Sequence, residues 1–171
     1  LKLTTETKYD AADQVRCTVD ANGNPTWHFY DENGNMRFHI NAKGAVYEKR
    51  FDAEDNCIYT CQYQKALDVS TINLQTDLTT IEGRVAALKN PMDTPAWHFY
   101  DDNNNLKFSV NSAGRVTEKL YNPVLKPCGH IQYGQAVDLG KINRETTQTL
   151  TDWAHKNKNN EGNREVYEIL D

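Results

Sequence analysis

Between residues 25 and 51, apolar and polar side chains alternate with a period of two, the mark of a strand with one buried face. Trp27 and Phe29 fall on one side, His28 and Tyr30 on the other. After a turn at Glu32-Asn33-Gly34-Asn35, Met36, Phe38 and Ile40 share a face, with Arg37 and His39 opposite. A second turn, Asn41-Ala42-Lys43-Gly44, leads into Ala45–Lys49. Asn-Gly pairs and a late glycine supply the positive φ that tight hairpins need. The pattern predicts a three-stranded meander over 25–51. A second is predicted over 95–121, with Trp97, Phe99 and Phe108 in place of Trp27, Phe29 and Phe38.

The two meanders are copies. PTWHFYDENGNMRFHINAKGAVYEK (25–49) matches PAWHFYDDNNNLKFSVNSAGRVTEK (95–119) at 14 of 25 positions, at an offset of seventy. The same offset aligns QYQKALDVSTIN (62–73) with QYGQAVDLGKIN (132–143). Two blocks in one register establish an internal repeat. The expected organisation is the tail of a preceding repeat (1–24), repeat one (25–94), repeat two (95–164) and a C-terminal end (165–171).

The second half of repeat one changes period. Leu67, Thr71, Leu74, Leu78, Ile81, Val85 and Leu88 recur at spacings of four and three, a heptad seam. The pattern predicts a coiled-coil helix over 67–90, capped by Asp68 or Ser70 and stopped by Pro91. A helix packed on its own domain is the alternative. In a parallel pairing Asp77 would face Glu82 and Arg84 would face Lys89, so strand number and direction stay open. Repeat two does not carry the seam. Ile142, Thr149 or Leu150, and Trp153 predict only a short helix over 138–157.

The expected fold class is therefore mixed α and β: three-stranded meanders alternating with short coiled-coil helices in an elongated, intertwined homo-oligomer. Each meander has an apolar face (Trp27, Phe29 and Phe38; Trp97, Phe99 and Phe108). Three short strands need a cover to be stable, and we expect it from another chain.

Composition agrees with shared burial. Only 38% of the 171 residues are hydrophobic and mean hydropathy is -0.79, yet there are nine Tyr, three Trp and five Phe. That is too aromatic for a disordered segment. A net charge of -5 argues against a nucleic-acid partner, which needs a basic stripe. No apolar stretch suits membrane insertion. The chain opens at Leu1 without an initiator Met, and we expect it to be part of something longer.

WHFYDENGNMRF with INAKG, its copy WHFYDDNNNLKF with VNSAG, and INLQTDLTTIEGRVAALK resemble the shafts of trimeric bacteriophage tail fibres and virion fibres. That resemblance implies a homotrimer with fibre or virion proteins as partners, a virion or extracellular location, and a host-surface receptor. A second resemblance is to the YD-type repeats of bacterial secreted shells, which also follow Tyr-Asp with Asn-Gly turns. Their repeat is much shorter than seventy residues and has no helix. The expected function is a structural fibre segment; the alternative is a glycan- or protein-binding adhesin module.

Candidate chemistry is sparse. The carboxylate pairs Asp31/Glu32 and Asp101/Asp102 sit in turns, where Asp caps backbone amides. No G-x-S-x-G, P-loop, Rossmann or HExxH pattern occurs. No enzyme activity and no cofactor are expected. Cys57, Cys61, Cys128 and His130 form the one set with zinc-ligand spacing, although Cys is commonly just a small buried residue. His28 and His98 share a slot and are expected on the polar face of the sheet. Trp27, Tyr30, Trp97 and Tyr100 would stack sugars if exposed, but are expected to form core.

Overall fold

The computed structural model describes residues 4–124, 126–144 and 146–167. Two compact units emerge, Leu1–Thr94 and Pro95–Asp171. Both are antiparallel sheets in which each strand pairs with its neighbours in sequence.

The first unit comprises β1 (Glu6–Tyr9), β2 (Val15–Val19), β3 (Pro25–Tyr30), β4 (Met36–Ile40), β5 (Val46–Phe51) and β6 (Cys57–Gln62). One helix follows, α1 (Leu78–Ala86). The strands pair in that order, with Phe29 opposite Phe38 and Ile40 opposite Val46. The second unit holds β7 (Thr94–Tyr100), β8 (Leu106–Asn111), β9 (Arg115–Tyr121), β10 (Pro127–Ala136), α2 (Gln148–Asn157) and β11 (Arg164–Tyr167). These strands too pair in sequence order, with Phe99 opposite Phe108 and Val110 opposite Val116.

A shorter period lies inside the seventy-residue one. Eight loops among the described residues share one construction, in which an Asp or Asn side chain accepts the N–H groups two and four residues on. Asp10, Asp20, Asp31, Asn41 and Asp52 do this in the first unit. Asp101, Asn111 and Asn122 do it in the second. Alternate loops recur every 21 residues (10, 31, 52; 101, 122), so the elementary unit is a two-stranded hairpin. An Asx turn fixes both hairpin ends locally, which suits strands that, β10 apart, have only four to seven residues.

Every second loop is followed by a β-bulge. The register slips so that Arg16, Arg37, Ile58, Lys107 and Cys128 are each left without an opposite residue, six positions after the loop Asp or Asn. A bulge re-aims one side chain, and at Arg37 and Lys107 that has consequences described below.

The apolar faces are covered from within. Ile81 and Val85 of α1 share a core with Trp27, Phe29, Phe38, Ile40 and Val46, joined by Leu67 and Ile72 of the preceding strap. Leu150 and Ala154 of α2 do the same for Phe99, Phe108, Val110 and Val116. This overturns the expected fold class. The molecule is mostly β, the described helices are two short ones, and neither is a coiled coil. The expected cover from another chain, and the intertwined oligomer built on it, are replaced by a helix laid on its own sheet.

The predicted helix over 67–90 fails for a local reason. Asp68 accepts from Ser70 N–H and Asn73 from Gln75 N–H, so these side chains satisfy the backbone in turns instead of a helix. The helix starts only where Asp77 caps it, accepting from Thr80 N–H at 2.7 Å. No helix among the described residues is long and apolar enough to cross a membrane.

Candidate functional site

Each sheet carries one carboxylate on its apolar face, buried in the first unit and half-buried in the second. Glu48 stands two residues after Val46 on β5, so alternation aims it into the core, where it is 2% exposed. A lone buried carboxylate is costly unless paired and hydrogen-bonded. The bulge after the Asp31 loop brings Arg37 round to it: Arg37 Nη1 donates to Glu48 Oε1 at 2.7 Å, and Nη2 lies 3.5 Å from Glu82 of α1. Arg50 Nε donates to the same oxygen at 2.9 Å, and Tyr63 Oη to Oε2 at 2.5 Å.

Burial works to raise the Glu48 pKa, but the hydrogen bonds from Tyr63, Arg37 and Arg50 outweigh it and hold the carboxyl below its ordinary range. Burial, and then the bond to Glu48, push the Tyr63 phenol well up. The second unit repeats the arrangement with a lysine. Lys107, at the matching bulge, lies 3.4 Å from Glu118, and Tyr133 Oη donates to Glu118 at 2.7 Å. Both Glu48 oxygens accept from internal donors, and the contact of Arg37 with Glu82 fastens sheet to helix.

Arg16, at the first bulge, is the other buried cation. Its guanidinium lies 3.8 Å from the Phe29 ring centroid, donates to the His28 carbonyl at 3.2 Å, and also donates to the Thr76 carbonyl. It ties the strap before α1 to the sheet. None of these three bulge cations is marked as special in the sequence. The signal that could have found the cluster is the retention of both Glu48/Glu118 and Tyr63/Tyr133 at the seventy-residue offset.

The seam positions divide. Leu67, Ile81 and Val85 are buried, Leu78 and Leu88 pack against the same core, and Thr71 and Leu74 are exposed, Leu74 by 41%. The aromatic face is core: Trp27, Phe29, Phe38, Phe99 and Phe108 are buried, and Trp97 is half-buried beneath Arg144, whose guanidinium lies 4.8 Å from the ring. Tyr30 Oη donates to the Val15 carbonyl at 3.0 Å, and Tyr121 Oη to that of Leu106 at 2.9 Å, each reaching back fifteen residues.

Opposite that core, β3 and β4 pair His28 with His39, their ring centroids 5.2 Å apart, and Tyr47 continues the row at 5.8 Å. Burial lowers both histidine pKa values, and at His28 the neighbouring His39 charge lowers it further. His98 pairs with Ser109, Nδ1 to Oγ 3.1 Å, and burial lowers it too.

Cys57 and Cys61 lie four residues apart on β6, roughly 13 Å along an extended strand. Cys128 and His130 lie on β10 of the other unit. Among the described residues no three His, Cys, Asp or Glu side chains gather where they could hold a metal ion.

No family model and no curated protein matches the chain. Similar solved structures include the TcdB2-TccC3-Cdc42 crystal structure, 12% identical over 75% of this chain with a TM-score of 0.41. Another is TcdB2-TccC3-TEV, 12% identical over 81% with a TM-score of 0.39. A third is a mutant Tc holotoxin pore of Photorhabdus luminescens, 10% identical over 75% with a TM-score of 0.30. The chain spans 8% of the first two and 10% of the third. These are parts of toxin complexes, not the phage fibres that the sequence led us to expect. At such TM-scores the likeness says nothing of what this chain does.

Proposed function

We propose that this chain is a non-catalytic section of a repeating β-wall within a larger secreted or cell-surface assembly. One observation carries the reading: hairpins of 21 residues, each closed by the same Asx loop, pair only with their neighbours in sequence. Such quasi-one-dimensional construction lengthens a wall without redesigning it. The Tyr9-Asp10, Tyr30-Asp31 and Tyr100-Asp101 pairs, with Phe51-Asp52 and Tyr121-Asn122 as variants, support the likeness to YD-type repeats. The short period removes the main objection to that likeness. The helices are then local covers for stretches of wall rather than oligomerisation devices.

The test is hydrogen exchange on the full chain carrying Phe29→Ala. Nearest-neighbour architecture requires protection to fall most in β2–β4, and least in β8–β11. A uniform loss of protection across all strands would refute the repeating-wall reading.

A further inference from the structure

The two units are not equivalent on the face opposite their cores. In the first, the row running across the strands is His28, His39, Tyr47 and Gln62. Rings fill it. In the second, the same row reads His98, Ser109, Thr117 and Gln132, and β11 extends it with Arg164. Two rings have become hydroxyls. Two residues from Thr117 on β9, Ala45 has become Arg115. Alternation puts Arg115 and Thr117 on one face.

Here the second unit has a cleft of about 460 Å³ lined by Asn111, Arg115, Thr117, Gln132, Gly162 and Arg164, against about 260 Å³ beside Tyr47 and Gln62 in the first. The larger is a size suited to a small molecule. Its walls are held in place. Asn163 anchors the loop bearing Arg164: its Oδ1 accepts from Gly134 N–H at 3.1 Å, and its Nδ2 donates to the Asn157 and Lys158 carbonyls at 2.8 Å each. Gly134 and Gly162 approach so closely that a Cβ on Gly134 would lie 2.7 Å from the Gly162 backbone. Arg115 is oriented by its bond to the Gly134 carbonyl. Arg164 has no carboxylate or carbonyl partner among the described residues.

Two guanidiniums in one cleft of a chain with net charge -5 ask for an anion. The surrounding amides and hydroxyl ask for a polyol. We propose that this cleft binds an acidic sugar unit, its carboxylate or phosphate on Arg115 and Arg164 and its hydroxyls on Asn111, Thr117 and Gln132. The inference goes beyond the scaffold reading and does not depend on it.

The test is titration of the isotope-labelled full chain, followed by amide shifts, with glucuronate, glucose 6-phosphate, glucose and inorganic phosphate as separate probes. Saturable shifts confined to β9–β11 are expected with glucuronate or glucose 6-phosphate, and whichever binds tighter identifies the anionic group. Arg164→Gln and Arg115→Gln should each weaken binding at least tenfold. Thr117→Tyr, which installs the first unit's residue, should abolish it while leaving first-unit shifts unchanged. Lys43→Gln, an exposed substitution in the first unit, should change nothing. The proposal is overturned if neither acidic sugar binds saturably, if glucose binds equally well, if inorganic phosphate alone binds as tightly as both sugars, or if the arginine variants bind unchanged.

Discussion

Leu67 donates its backbone N–H to the Gly44 carbonyl at 2.8 Å, and the backbone of Leu67 fills the space that a Cβ on Gly44 would need. The second unit builds the same joint from Val137 and Gly114, again at 2.8 Å. Here the strap leaves the sheet and begins to carry the helix over it. Gly44 is thus required twice, for its φ of +77° and for the close approach.

Gly44→Ala should accordingly cost about 3 kcal/mol, combining left-handed strain with overpacking. Gly23 has a similar φ of +83°, but a methyl added there would meet nothing within 4 Å, so Gly23→Ala should cost only about 1 kcal/mol. Urea denaturation followed at Trp27 separates the two. Equal losses would mean that the Leu67 contact contributes nothing.

The Asx loops make a second prediction. Asp31→Ala removes the acceptor for Asn33 and Asn35 N–H and should cost about 1–2 kcal/mol. Asp31→Asn should stay within about 0.5 kcal/mol, because Asn41, Asn111 and Asn122 already do the same work. Thermal melts of the pair distinguish an acceptor role from a charge role, since only the latter would make the two variants alike.

What the sequence disclosed, and what it hid, follows from the range of each interaction. The meanders were legible because Trp27-His28-Phe29-Tyr30 alternates cleanly and Asn33-Gly34 marks its turn. The 21-residue period was masked by the stronger seventy-residue identity. Only the first loop residue and the fourth, which takes a positive φ, are constrained, and DENGN, NAKGA and DAEDN share little else. The false coiled coil arose because Leu67, Thr71 and Leu74 keep heptad spacing while lying in a strap whose path is set by Asp68 and Asn73. The buried Glu48 was invisible because its partner Arg37 reaches it through a bulge, and alternation alone had placed Arg37 on the opposite face.

Acid should destabilise the first unit in two steps. His28 and His39 have pKa values held below 6.5, so they favour the fold when neutral; that contribution is present above pH 6.5 and is lost as the pH falls below it. Glu48 is held below 4.5, so its contribution is present above pH 4.5 and is lost as the pH falls towards its folded value. His39→Ser, the second unit's residue, should flatten the upper step and spare the lower. Glu48→Gln should shrink the lower step and cost about 2 kcal/mol at pH 7, since Arg37 then keeps only its longer contact with Glu82. Stability measured by urea between pH 3 and 8 reads both, and a single step unmoved by either variant would contradict the assignment.

Leu74 and Ile81 lie one heptad apart on the predicted seam, and a coiled coil would need them alike. In this fold they differ: Ile81 is fully buried against the first sheet, while Leu74 is 41% exposed. Ile81→Ala should therefore cost about 3 kcal/mol through lost burial and the cavity left behind, while Leu74→Ala should fall within about 0.5 kcal/mol of the parent. Neither should change the sedimentation coefficient of the folded chain. Comparable losses at both positions, with dissociation of an oligomer, would restore the seam and displace the self-covered sheet.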